Sequence, residues 1–97
     1  MKTIRILGIN YTIIHEPNDE NGMNGPGQIN STRCVIRICT TLNSKAHMKS
    51  VLLHEIIEAL NYRMELELNH QQITSLEAGL FSVINDNPKF VEYLNGR

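Results

Sequence analysis

The sequence predicts an α+β fold: a small antiparallel, curled sheet of about three strands, followed by two packed helices. Three observations carry this reading. Up to about residue 41 the apolar residues alternate with polar ones or are β-branched, the pattern of half-buried strands. After Asn43 they recur at helical spacing instead. The chain has 97 residues, 41% of them hydrophobic, which suits one domain with a single thin core.

The first strands come from Ile4 and Ile6 flanking Arg5, then Tyr11-Thr12-Ile13-Ile14 after a break at Gly8. This pattern reads as a hairpin turning near Gly8. Residues 17–30 are rich in Asn, Gly and Pro and read as a mobile loop. Strand character returns over residues 28–41. Cys34, Ile36 and Ile38 fall on one face, with Arg33, Val35, Arg37 and Cys39 on the other. A short strand over residues 28–30 pairs with it through a turn at Ser31-Thr32.

Ser44 is the expected N-cap of a first helix over residues 44–65, with Leu53, Ile56, Ile57, Leu60 and Met64 as its apolar stripe. Asn69 and Gln72 form a capping-box pattern opening a second helix over residues 70–87. Its stripe is Ile73, Leu76, Leu80, Val83 and Ile84. A short terminal turn over residues 88–95 starts at Pro88 and brings Phe90, Val91 and Leu94 back toward the core.

Nine Lys and Arg against ten Asp and Glu leave a formal charge of −1, which argues against a dedicated nucleic-acid binder. No apolar run reaches the length of a membrane span. The N-terminal residues meet polar Asn10 too early for a signal peptide. Cys34 and Cys39 are too far apart along an extended strand to bridge each other and read as thiols in a reducing cytoplasm.

The chemistry gathers in Leu52-Leu53-His54-Glu55-Ile56-Ile57-Glu58. On a helix, His54 and Glu58 lie one turn apart on one face and could grip one metal ion, while Glu55 sits about 100° round. In the zinc-peptidase motif H-E-x-x-H this geometry supplies two ligands and a glutamate beside the metal-bound water. Here the pattern is H-E-x-x-E. A carboxylate also coordinates zinc, but the plainer alternative is an exposed acidic edge with a histidine beside it. Glu77 falls on the edge of the second helix's stripe and faces His54 and Glu58 if the helices pack antiparallel. Its alternatives are a salt bridge to Arg63 or Lys45, or exposure. His70, two turns before Glu77, is the rival third ligand. His47, two turns before His54, is too distant to share its ion and could line a cleft.

Leu52-Leu53-His54-Glu55-Ile56-Ile57 followed by Ala59, with Gly79-Leu80 and Asp86-Asn87-Pro88 downstream, resembles the small metallopeptidase-like proteins of phages and prophages. The resemblance runs from the first hairpin to Pro88. More distantly the chain is similar to ImmA-type repressor-cleaving peptidases and to minimal gluzincins. The resemblance implies a minimal zincin-like fold, a sheet packed on an active-site helix with a following helix that supplies a glutamate. It makes His54 the first zinc ligand, Glu55 the catalytic base and Glu77 the glutamate ligand. The family pattern has histidine where Glu58 stands, and a carboxylate there makes a more anionic site that favours oxygen-preferring metals over zinc.

Three functions follow as expectations. The first is a metal-dependent peptidase of the host-cell cytoplasm, holding zinc or another divalent ion and taking an extended peptide on an exposed strand edge. The second is an inactive relative that binds a host protein as a regulator or defence inhibitor, with the 17–30 loop as a contact. The third is a structural protein without a site. An uncovered strand edge also leaves room for pairing between copies.

Overall fold

A computed structural model describes residues 1–17 and 25–96. Four strands, β1 (Thr3–Ile6), β2 (Ile9–Glu16), β3 (Gly27–Asn30) and β4 (Val35–Cys39), form one sheet in the order β1-β2-β4-β3. The helices α1 (Lys45–Met64), α2 (His70–Asp86) and α3 (Pro88–Leu94) follow. The fold is therefore α+β, as predicted. The loop expected over residues 17–30 is in part outside the described residues, and its last stretch is β3.

The expected hairpin forms. Ile6 pairs with Ile9, leaving Leu7 and Gly8 as a two-residue turn. Both have positive φ, +50° and +80°, the combination that a type I′ turn requires. The sheet departs from expectation in three ways: it has four strands, it is mixed, and it is not curled. β2 and β4 run parallel, with Ile13 beside Ile36, while β3 and β4 are antiparallel. The physical reason lies in burial. Ile36, Ile38 and Cys39 of β4 are sealed from solvent, so β4 takes an interior place between two neighbours. Short β3, with exposed Gln28 and Asn30, takes the edge.

Cys34 does not continue the strand. It ends the Ser31–Thr32 turn with φ +57°, where Asn30 Oδ1 accepts a hydrogen bond from the Arg33 backbone N–H. Cys39 lies buried at the end of β4 instead of on a solvated face, and no disulfide joins the two cysteines.

Helix α1 begins at the predicted N-cap, where Ser44 Oγ accepts from the His47 N–H at 3.1 Å. It ends at Glu65 in a left-handed conformation. Its sealed residues are Val51, Glu55, Ile57 and Ala59, so of the predicted stripe only Ile57 is fully buried and Met64 is exposed. The helix is covered on two sides, by the sheet and by α2, which spreads its apolar contacts over more than one stripe. Arg63 fastens its C-terminal end to the sheet: Nε donates to the Tyr11 hydroxyl at 3.0 Å and Nη2 to the Ser31 carbonyl at 2.7 Å.

The connection to α2 is held by Asn61, whose side chain accepts from Leu68 N–H and donates to Leu68 C=O. The Asn69–Gln72 capping box forms with both reciprocal bonds at 2.9 Å. Of the stripe predicted for α2 only Ile73 is buried; Leu76, Leu80, Val83 and Ile84 stay exposed. The predicted terminal turn is a third helix, and Phe90 and Leu94 do not return to the core. Pro88 opens α3 at a position where its missing N–H costs nothing. Among the described residues no helix is long and apolar enough to cross a membrane.

Candidate functional site

A cleft of about 380 Å³ opens between the start of β3, the middle of α1 and the first half of α2. His54, Glu55 and His47 reach it from α1, His70, Thr74 and Glu77 from α2, and Pro26 and Gly27 from the edge strand. The antiparallel helix packing expected from the sequence carries Glu77 to His54. Nδ1 of the imidazole and Oε1 of the carboxylate are 2.7 Å apart. The other carboxylate oxygen accepts from Ser50 Oγ one turn earlier on α1. Both groups are largely withdrawn from solvent. With Glu77 ionised, Nδ1 must carry the proton, which directs the lone pair of Nε2 away from the pair.

His70 adds a second imidazole. Its ring centroid lies 5.6 Å from that of His54, with the planes inclined by 59°. The capping box sets the first turn of α2 and so places this histidine. Glu77 engages neither Arg63 nor Lys45; Arg63 is committed to Tyr11 and the Ser31 turn.

Glu55 is the buried charged group of the core, 5% exposed. Burial raises its pKa from 4.5 to about 7; the neighbouring Glu58 and Glu77 push in the same direction, and His54 opposes them. Gly27 makes room for it. A Cβ at that position would lie 2.5 Å from Val51 Cγ1 and 2.9 Å from Glu55 Oε2, so glycine lets the edge strand pass directly over the carboxyl. The sequence pattern puts Gly27 where the Asn/Gly/Pro-rich loop meets the returning strands, without a role at the site. Its signal was weak because one glycine among several turn residues does not announce a close approach.

Glu58 is half-buried on α1 but does not line the cleft. Thus His54, Glu55 and Glu77 come together, His70 joins them, and Glu58 stands apart. Among the described residues no three His, Cys, Asp or Glu side chains are grouped closely enough to cage an ion as they stand. The donor chemistry nevertheless suits a divalent metal, with two imidazoles and a carboxylate along one cleft. The Glu77–His54 bond is also the kind of contact by which a carboxylate orients a ligating histidine.

Comparison with known proteins found no matching family model, no matching curated sequence and no matching solved structure.

Proposed function

We propose that this chain is a metallopeptidase-like hydrolase in which His54 and His70 would hold a divalent metal, Glu77 orients His54 for it and Glu55 handles the proton. The observation that carries the reading is the meeting of Glu77 with His54 beside a sealed Glu55. A metal bound there would lower the pKa of a water molecule and polarise a peptide carbonyl. The protein's own groups have separable tasks. Ser50 holds Glu77, and Glu77 fixes the tautomer and direction of His54. A carboxyl with a pKa of about 7 is half-ionised near neutrality, so Glu55 can accept a proton and release it again. An extended peptide would add to the free edge of β3, whose first residue, Gly27, lies over Glu55.

The second reading, an inactive relative that binds a host protein, is favoured by one observation. Both oxygens of Glu77 are already engaged by protein donors, so the pair is satisfied without an ion. The loop contact of that reading lies in part outside the described residues.

Zinc titration of chelator-treated protein, purified without a histidine tag, separates the two. The hydrolase reading expects one ion per chain, lost in His54→Ala and weakened at least tenfold in His70→Ala. Glu58→Gln leaves most of the affinity; its loss would restore the ligand that H-E-x-x-E spacing predicts. Glu55→Gln keeps the ion and loses roughly 10²- to 10⁴-fold in peptide hydrolysis. Absence of both zinc binding and any zinc-dependent rise in melting temperature would leave the binding-protein reading.

A further inference from the structure

From Leu76 onward α2, and all of α3, present an apolar face left exposed among the described residues. Leu76, Leu80, Val83 and Ile84 of α2 are 43–46% exposed. In α3, Phe90, Tyr93 and Leu94 are 43–75% exposed, and no residue of this helix is buried. A seven-residue helix is far below the length that holds itself together in water, so α3 depends on packing. Beside this ridge lies an apolar groove of about 360 Å³ between α1 and α2, lined by Leu52, Leu53, Ile56, Phe81 and Ile84.

We propose that this face is a dimer interface, in which α3 of one copy occupies the α1–α2 groove of a second copy across a two-fold axis. Ridge and groove are contiguous, since Ile84 belongs to both the stripe and the groove and α3 begins four residues later. One two-fold rotation therefore fills both grooves with both ridges, the self-complementary arrangement that closes a dimer.

Area and charge favour a second copy as the occupant. Complete burial of these seven residues would remove about 600 Å² per copy, near the lower end of what specific dimers bury. Helix α2 carries two charges, Glu77, turned into the cleft, and Asp86 at its end, so its stripe meets its own image without like-charge repulsion. The cleft and the groove draw on opposite sides of α1 and share no lining residue, so the interface and the candidate site do not compete for residues.

Sedimentation equilibrium over about 1 µM to 1 mM tests the proposal, with a micromolar Kd expected from an interface of this size. The mean mass should rise from one chain to two. The double variant Tyr93→Glu, Leu94→Glu should raise Kd at least tenfold with an unchanged circular dichroism spectrum, because neither side chain supports the monomer's core. A single-chain mass across the whole range overturns the proposal. So does a dimer that is indifferent to charges on α3, including one lost only when the β3 edge is altered. None of these readouts depends on metal binding or hydrolysis.

Discussion

The two sides of α1 are packed in different ways. Toward the sheet it meets Tyr11, Ile13, Ile36 and Ile38, all sealed from solvent, and Val51 and Ala59 complete that core. Toward α2 the junction is mixed: Ile73 is buried and Leu53, Ile56, Phe81 and Ile84 line an open apolar groove, while Glu77 bonds to His54 and Ser50, and Asn61 to Leu68. Stability therefore resides mainly in the sheet and α1, whereas α2 is held by fewer sealed side chains together with hydrogen bonds that also build the candidate site. A helix held this way can be displaced, or redirected by a partner, at modest cost.

The widest contrast is between the two layers themselves. Ile36→Ala, at the centre of the sheet, should destabilise the protein by about 2–5 kcal/mol in urea unfolding, as buried isoleucines do. Leu80→Ala, on the exposed stripe of α2, should cost well under about 1 kcal/mol in dilute monomer. Equal effects would break the comparison.

Glu55 sharpens it, because a carboxyl has been driven into the well-packed side. Its pKa rises from 4.5 to about 7 on folding, so the folded chain binds the proton more tightly than the unfolded one. The stabilisation is complete below about pH 4.5 and is lost as pH rises through 7. The shift corresponds to about 3 kcal/mol, an order-of-magnitude figure, with no further change above that pH. Chelator-treated Glu55→Gln should lack this fall, so the wild-type minus variant stability should decline between pH 4.5 and 7. A flat difference would mean that the carboxyl is better solvated than its burial indicates.

A smaller loss than that of Ile36 belongs to the junction. Asn69→Ala removes the side-chain acceptor of the α2 capping box and should cost about 1 kcal/mol. Amide exchange should speed up in the first turns of α2 and leave β4 protected. Faster exchange throughout would mean that α2 and the sheet unfold as one unit.

Much of the local structure was legible. Ser44 and the Asn69–Gln72 box act within one turn, so their residue types alone mark both helix starts. Gly8 marked the hairpin for the same reason. Strand order was not legible, because it depends on which strand is most deeply buried. The sealed face of α1 was misread for a related reason: a helix covered on two sides carries apolar residues round most of its circumference, and no single stripe identifies the core. At the site, the His54-Glu55 pair stood out as adjacent residues on one helix. The choice between Glu58 and His70 as neighbours of that pair rested on the position of a second helix.

By itself the sequence determined the class of fold, the helix starts, the first hairpin and which residue types are available for metal or proton chemistry, all matters of short-range spacing. Only the tertiary structure decided that β4 lies inside the sheet, that Glu55 turns into the core beneath Gly27, and that Glu77 crosses to His54. It also decided that the stripe of α2 stays uncovered. The reason is physical: caps and turns are satisfied by neighbours in the chain, while burial and ion pairing depend on surfaces brought together from residues far apart in it.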